Sequence, residues 1–512
     1  MSQPETSLMS RLTSLSKRRG FIFQASEIYG GLNGFWDFGP LGVQLKNNLR
    51  DQWWHDMVEC PPLGPDGKPV SIVGLDSSII QHPRTWHASG HVGGFADLMV
   101  DCRATKLRYR ADHIMVVNAA YEKGGEMKSL GLISALEGDE CEAQLLKKAK
   151  KLVQKLGGGE LLPIDATKAV PFTNLSKEEQ ANVIGPDADE AGTLTEPRAF
   201  NLMFESHVGV FQDEDSKVYL RPETAQGIFL QYKNIMDTSR VKPPFGVAQV
   251  GKSFRNEVTP RNFIFRSREF EQMEMEFFCA PEDGLMWYEY WVAERMRWWE
   301  SIGCKKENLY RHIIPEDELA HYSKGTSDIE YRWPFTAPGF GELEGVAYRT
   351  DYDLKQHAEF SKQKLDYIDQ EANRRYVPHV VEPASGLTRG VLLVLSEAYQ
   401  YDESRPSKEW LKIKPSLAPV KMGIFPLVNK DGMPEVAEKL FMEMRQKYTC
   451  QYDAKQSIGK RYARMDEAGT PFCVVVDGDT LKDQTVSIRD RDTATQERVS
   501  LDKVGAYVAE KL

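Results

Sequence analysis

The sequence predicts an α+β fold followed by a separate, smaller α/β domain, and three observations carry that prediction. Between 200 and 280 the strand-like runs VGVF, KVYL, FGVAQVG and NFIFRSREFEQMEMEFF are separated by turn signals, and residues 285–301 follow as a tryptophan-rich helix. From near Pro415 the order becomes VKMGIFPLV as strand, PEVAEKLFMEMRQK as helix, a second strand, a helix near GKRYARMDEAG, the strands PFCVVVD and TVSIRDR, and a terminal helix, a region of about 100 residues. Finally, 512 residues, 41% hydrophobic and 27% charged, suffice for a large core divided among more than one domain.

Taken in order, the N-terminal MSQPETSLMSRLTSLSKRRG holds no apolar run of leader length, and no later segment reaches the ~18 apolar residues that span a bilayer. A cytoplasmic chain with no membrane partner is expected. Leu41, Leu45, Leu49, Trp53 and Met57 recur at four-residue steps after Gly39-Pro40, which predicts an amphipathic helix over about 41–59. SIVGLDSSII reads as a strand. From about 121 to 197 the composition shifts through GGEMKSLGLISALEGDE and LLKKAKKLVQKLGGGE to a polar stretch with Gly185, Pro186 and Pro197, an insertion with helices. In REFEQMEMEFF, Phe270, Gln272, Glu274 and Glu276 share one strand face, and Glu271, Met273, Met275 and Phe277 the other. Carboxylates on a buried strand face are costly unless they bind something cationic.

Seven scattered cysteines without a C-x-x-C pair argue against a disulfide framework and a cysteine-rich zinc site. A formal charge of −10 disfavours a general nucleic-acid binder, although local basic clusters remain at Lys17-Arg18-Arg19, Arg374-Arg375, Lys460-Arg461 with Arg464, and Arg489 with Arg491. The histidines His82, His87 and His91 near Asp97 have irregular spacing and read as loop or core residues, so no metal site is expected there. GFGELEG lacks the βαβ context of a dinucleotide fold, and the pairs Trp53-Trp54 and Trp298-Trp299 read as helix packing.

Two nucleotide sites compete for one segment. Gly246 to Ser253 matches G-x-x-x-x-G-K-[ST] letter for letter, but that pattern cradles phosphates only as a loop between a strand and a helix. Here Pro243-Pro244 stands where the strand should be, VAQV is itself strand-like, and FRNEVTPRN follows instead of a helix. The alternative is a hairpin: VAQVGKSFRNE, a loop at VTPRN, then FIFRSREFEQMEMEFF. It would present Arg255 and Glu257 on one strand and Arg266, Arg268, Phe270 and Glu274 on the next. That set suits adenylate formation, in which a carboxylate displaces pyrophosphate from an α-phosphate and arginine forks screen the phosphoryl charge.

FRNE followed by FRSREFEQMEMEFF resembles the second signature motif of class II aminoacyl-tRNA synthetases in the form found in the homodimeric glycyl-tRNA synthetases. Similar segments run through most of the chain, among them KRRGFIFQASEIYGGLNGFWDFGPLG, ASGHVGGFADLMVD, RYRAD, FNLMFESHVGVF, YLRPETAQGIF, SDIEYRWPF and QSIGKRYARMDEAGTPFCV. No HIGH-like tetrapeptide of the class I enzymes occurs. The resemblance implies a class II antiparallel sheet flanked by helices over 1–410, with the insertion at about 121–197, and an anticodon-binding α/β domain over 411–512. It implies glycine activation with ATP and Mg²⁺ and transfer to tRNA(Gly). The segment 41–81 matches the first class II motif, which implies a homodimer with an isologous interface.

In that family the arginine and glutamate of R-N-E contact ATP, which points to Arg255 and Glu257 as catalytic groups with Asn256 between them. The positions leaving the loop, Phe265, Arg266, Ser267, Arg268, Glu269 and Phe270, also line ATP, with Phe270 stacking on adenine. Glu342-Leu343 matches another ATP contact whose carboxylate could hold Mg²⁺. The third motif ends in a catalytic arginine, Arg389, preceded by Gly386, Leu387 and Thr388. Glycine offers only its ammonium and carboxylate, so selection rests on gripping those and filling the space a side chain would need. The matching positions are Glu223, the run Phe270-Glu271-Gln272-Met273-Glu274, and Glu382-Pro383-Ala384-Ser385-Gly386, with Arg110 as a further contact. The family reads E-P-S-x-G, whereas here Ala384 takes the serine position and Ser385 follows it. Lys460, Arg461, Arg464, Arg489 and Arg491 are candidate RNA contacts.

Overall fold

The computed structural model describes residues 7–137, 141–336 and 338–512. Met1–Thr6, the start of the stretch read for a leader, Gly138–Glu140 at the end of LEGDE, and Ala337 lie outside the described residues. The chain divides into two compact units, one of residues 1–89 with 204–512 and one of 90–203.

The larger unit is built on a seven-stranded sheet. Its strands in chain order are β1 (Ser71–Gly74), β2 (Phe245–Phe254), β3 (Glu269–Cys279), β4 (Leu309–Ile313), β5 (Gly325–Tyr331), β6 (Gly341–Thr350) and β7 (His379–Gly386), and the spatial order is β4-β5-β6-β7-β3-β2-β1. All neighbours are antiparallel except β1 beside β2. SIVGLDSSII is therefore not one strand. Only Ser71–Gly74 joins this sheet, because Ser77 turns aside to bond Gln249 (3.0 Å) and to accept from Arg221 (2.8 Å), and Ile80–Gln81 pairs elsewhere.

Both faces of the sheet are covered. On one, α1 (Pro40–Trp54), α3 (Gly284–Ser301) and α5 (Leu387–Ala398) pack Leu45, Leu49, Trp53, Trp291, Trp299 and Val391 against Met273, Met275, Phe277 and Val346. The four-residue steps of α1 are that buried stripe, and each large side chain so buried contributes about 1.5–3 kcal/mol. On the other face, α2 (Ala225–Ser239) and α4 (Tyr352–Ser361) pack Phe229, Tyr232 and Leu354 against Phe245, Val247 and Phe278. That second apolar patch covers only one end of β3. The rest of the face is a cavity.

The P-loop reading fails on backbone geometry, since Gly246 to Ser253 lies wholly within β2. Both glycines have packing reasons instead. A Cβ on Gly251 would lie 2.2 Å from Nη2 of Arg221, which is pinned by bonds to Lys252 O and Ser77, and one on Gly246 would lie 2.8 Å from the sulfur of buried Met275.

After β8 (Met422–Pro426) the chain runs α6 (Met433–Met444), β9 (Cys450–Tyr452), α7 (Ile458–Glu467), β10 (Phe472–Val476), β11 (Thr485–Asp490), β12 (Gln496–Ser500) and α8 (Val504–Lys511), with sheet order β9-β8-β10-β11-β12. The order matches the expectation except for β12, whose polar sequence QERVS forms an exposed edge strand without hydrophobic alternation.

In the 90–203 unit, helix Cys141–Lys155 buries Leu145, Ala149, Leu152 and Val153 against strands Ile114–Lys123 and Glu126–Leu136. The first part of the supposed helical insertion is thus a hairpin. Gly124 and Gly125, at φ 66° and 83°, make its two-residue turn, a signal that the reading of the region as an insertion with helices did not use.

Candidate active site

The cavity, about 230 Å³, is floored by β3. The period of two sets Phe270, Gln272, Glu274 and Glu276 on the cavity face and sends Met273 and Met275 into the helix-covered core. Register adds the rest: Glu274 lies opposite Ala384 on β7, Ala384 opposite Gly345 on β6, and Glu382 opposite Ala347.

At the deep end the side chains are acidic. Glu274 is 2% exposed and accepts from the backbone N–H of Thr224 (3.0 Å) and from its hydroxyl. Glu382 accepts from Nη1 of Arg349 at 2.7 Å, and Arg349 is also bidentate to Asp353 (2.8 and 2.9 Å) while its guanidinium lies over the Tyr322 ring at 4.2 Å. Glu223, just before α2, accepts from Gln226 (2.9 Å). Carboxylate oxygens of Glu274, Glu276 and Glu382 lie within 4.8 Å of one another. Burial, together with the repulsion of neighbouring carboxylates, pushes the carboxyls of Glu274, Glu276 and Glu382 above their ordinary range. One guanidinium, mostly committed to Asp353, does not balance them.

The other end is cationic and aromatic. The Arg255 guanidinium sits 5.3 Å from the Phe270 ring centre and its Nε donates to Pro222 O (3.1 Å). Arg266 pairs with Glu257 at 2.9 Å. Arg389, in the first turn of α5, lies over Phe265 at 4.6 Å and pairs with half-exposed Glu342 at 3.0 Å, which holds that carboxyl below its ordinary range. Phe265 is held edge-on by Trp333 and Phe335. Where the sequence suggested a strand beginning at FIFR, residues 255–268 form a loop, because Asn262 and Phe263 take left-handed φ of 59° and 60° and Phe263–Phe265 coil into a single turn. That turn aims Phe265 and Arg266 inward.

Of the residues singled out from sequence, Glu223, Arg255, Glu257, Phe265, Arg266, Ser267, Phe270, Gln272, Glu274, Glu342, Glu382, Ala384, Ser385, Gly386, Thr388 and Arg389 line the cavity. Asn256, Arg268, Glu269, Glu271, Met273, Leu343, Pro383 and Leu387 do not. Arg268 instead donates to Glu257 O (2.9 Å) and Asn33 O (2.8 Å), fastening the loop, and Glu269 and Glu271 pair with Lys252 and Lys46 on the far side of the strand. Met273, Leu343 and Leu387 are core residues. Arg110 belongs to the 90–203 unit, where it pairs with Asp112 (2.6 Å). Ser385, 2% exposed, lies next to Met273 and Glu344 in the sheet, and its hydroxyl is 3.4 Å from Met273 O. Arg349 and Tyr322 were missed. The only trace in sequence is the four-residue spacing of Arg349 and Asp353; that the pair meets Glu382 is a product of the fold.

The RNA candidates need correction. Arg489 is bidentate to Asp466 (2.8 and 2.9 Å), Arg461 donates to the carbonyls of Pro426, Leu427 and Asp453, and Arg491 donates to Gly469 O (2.6 Å). All three are buried and hold their own domain together. Arg464, paired with Asp453 at 3.1 Å, keeps 36% of its side chain exposed.

Residues 204–398 match the family model described as the tRNA synthetase class II core domain (G, H, P, S and T), and residues 421–511 match the anticodon binding domain. Sheet, pocket and C-terminal region together define a class II aminoacyl-tRNA synthetase. The chain is 46% identical to the glycine–tRNA ligase of Rhodopirellula baltica, across 98% of this chain and 99% of that protein. It is 45% identical to that of Streptomyces coelicolor, across 98% of each, and 44% identical to that of Bifidobacterium longum, across 99% of this chain and 93% of the relative. The chain belongs to the glycine–tRNA ligase family. Among the described residues no helix is long and apolar enough to cross a membrane.

Proposed function

We propose that this cavity joins glycine to AMP and then passes the glycyl group to the 3′ end of tRNA(Gly). The observation that carries the reading is the meeting, in one cavity of about 230 Å³, of an arginine-rich aromatic end with a buried acidic end short of cations. Glycine's ammonium enters the acidic end between Glu274, Glu382 and Glu223, so its carboxylate points toward Arg255. ATP enters at the other end with adenine on Phe270, Glu257 accepting from its exocyclic amine, and Arg389 over the nucleotide. A glycine carboxylate oxygen forms a bond to the α-phosphorus as the bond to pyrophosphate breaks. Arg255 stabilises the charge that grows on the α-phosphoryl oxygens. In the second step the tRNA hydroxyl attacks the glycyl carbonyl carbon and AMP leaves.

Mg²⁺ would arrive with ATP. Glu342 at the nucleotide end would hold it, with Asp328 and Glu330 on the neighbouring strand as further carboxylates nearby, and burial together with Glu342 and Glu330 raises Asp328 to about 6. Bound there, the ion would screen the phosphates. A catalytic region of 1–410 and an anticodon-binding region of 411–512 are part of this reading, which the family matches at 204–398 and 421–511 support without fixing the limits, and Arg110 enters as a glycine contact on the resemblance alone. A homodimer is supported by exposed Ile28 (88%) and Tyr29 (87%), and a reducing cytoplasm by seven free thiols.

The test is glycine-dependent ATP–pyrophosphate exchange followed by charging of tRNA(Gly). Exchange with alanine or serine but not glycine overturns the substrate, and tRNA binding without any exchange overturns the enzymatic reading. Sedimentation of a single species at monomer mass would overturn the dimer.

A further inference from the structure

Glu276 has no role in the scheme above, and its surroundings are unusual. It sits two residues beyond Glu274 on the same strand face, 0% exposed, and neither of its oxygens has an N–H or hydroxyl donor among the described residues. On β2 it faces Val247. The charged groups around it are Glu274 on its own strand, Glu382 on β7, Arg349 on β6 and Asp353 on α4. Arg349 gives its fork to Asp353 and one Nη to Glu382, and no bond to Glu276. A carboxylate buried without a cation or a donor costs more than any fold of this kind returns, whereas a neutral carboxylic acid in the same place carries a donor of its own. The acceptor within reach is Glu382, whose other bond is to Arg349.

We infer that Glu276 is a positioning residue: a neutral carboxylic acid that donates its O–H to Glu382, holding that carboxylate between Glu276 and Arg349 so that it faces the glycine ammonium. The inference rests on the glycine reading of the cavity and deepens it. Two acidic side chains, Glu274 and Glu382, then exchange protons or charge with the ligand, while the third keeps its proton and supplies geometry. Without that donor, Glu382 would rotate on its single bond to Arg349, and an ionised Glu276 would repel the groups that grip the ammonium.

Three variants and one spectrum decide it. Glutamine is isosteric with the neutral acid and keeps an N–H to donate, so Glu276→Gln is expected to hold the KM for glycine in ATP–pyrophosphate exchange within about threefold of the parent. Glu276→Ala, which leaves a buried acceptor without its donor, is expected to raise that KM about 10- to 100-fold with a smaller change in kcat. Glu274→Gln, which removes a charge that touches the ammonium, should be as damaging as Glu276→Ala. Difference infrared spectra of parent minus Glu276→Gln at neutral pH should contain one protonated-carboxyl C=O band. The inference is overturned if Glu276→Gln, folded by circular dichroism, loses glycine as Glu274→Gln does, or if that band is absent. The infrared measurement needs no catalysis, so a parent chain without glycine-dependent exchange would overturn the proposed function while the protonation of Glu276 is still decided.

Discussion

Two sets of buried glutamates lie on opposite faces of one sheet. On the helix-covered face, Glu344 is 1% exposed and fully answered: Arg295 gives it a bidentate pair (2.7 and 3.3 Å) and Trp299 donates at 2.5 Å. On the cavity face, Arg349 gives its fork to Asp353 and one bond to Glu382, and bonds neither Glu274 nor Glu276. The side chains are the same and the burial is similar. Compensation is what separates a structural acid from a ligand-binding one, because a buried acid without a cation of its own holds a proton until a ligand's cation can replace it.

The strongest way to break that comparison is to remove the compensation on the structural face. Arg295→Met strands the Glu344 carboxylate in the core and is expected to cost about 3–5 kcal/mol in denaturant unfolding, with no recovery on adding glycine. If glycine restored stability, the two faces would not differ in kind. Glu274→Gln makes the opposite test. It should lower glycine-dependent exchange by roughly 30-fold or more, the effect of taking one partner from a buried charged contact, yet leave unfolding within about 1 kcal/mol of the parent. A loss of several kcal/mol in stability would mark Glu274 as structural after all.

Proton linkage sharpens the same contrast. Glu274 and Glu382 have folded pKa values above the unfolded carboxylate value of 4.5. The folded chain therefore binds more protons than the unfolded one above pH 4.5, and their contribution to stability falls as pH rises through the folded values. Glycine's ammonium replaces those protons. Glycine affinity should accordingly increase with pH over that window, with protons released on binding, as calorimetry in buffers of different ionisation enthalpy would show. An affinity independent of pH would mean that the cluster is already ionised without ligand.

Much of this contrast was legible in sequence, and its limits are physical. A period of two in REFEQMEMEFF was enough to place Glu274 and Glu276 on one face, because strand geometry leaves side chains no third direction. It could not tell that Glu344 had a partner, since Arg295 lies on a separate helix 49 positions away. The C-terminal arginines failed for the same reason in reverse: Arg489 and Arg491 looked available, and Asp466 and the Gly469 carbonyl had already taken them. The loop at 255–268 was misjudged because Phe263, unlike Asn262, is a residue type that gives no sign of the left-handed backbone it adopts.

The smallest expected effect concerns the segment whose sequence was most misleading. Lys252 would be the phosphate-binding lysine of a P-loop, and its substitution would then abolish nucleotide binding. In β2 its ammonium is half exposed and pairs with Glu269, away from the cavity, an arrangement worth about 0–1 kcal/mol at a surface. Lys252→Ala should therefore change the KM for ATP by less than about threefold. Arg255→Ala removes a guanidinium that lies over Phe270 inside the cavity, and should lower exchange by roughly 100-fold. The pair reads the strand directly, since adjacent even and odd positions on β2 and its continuation point to different environments. A large effect at Lys252 with none at Arg255 would reverse the faces and, with them, the assignment of the whole cavity.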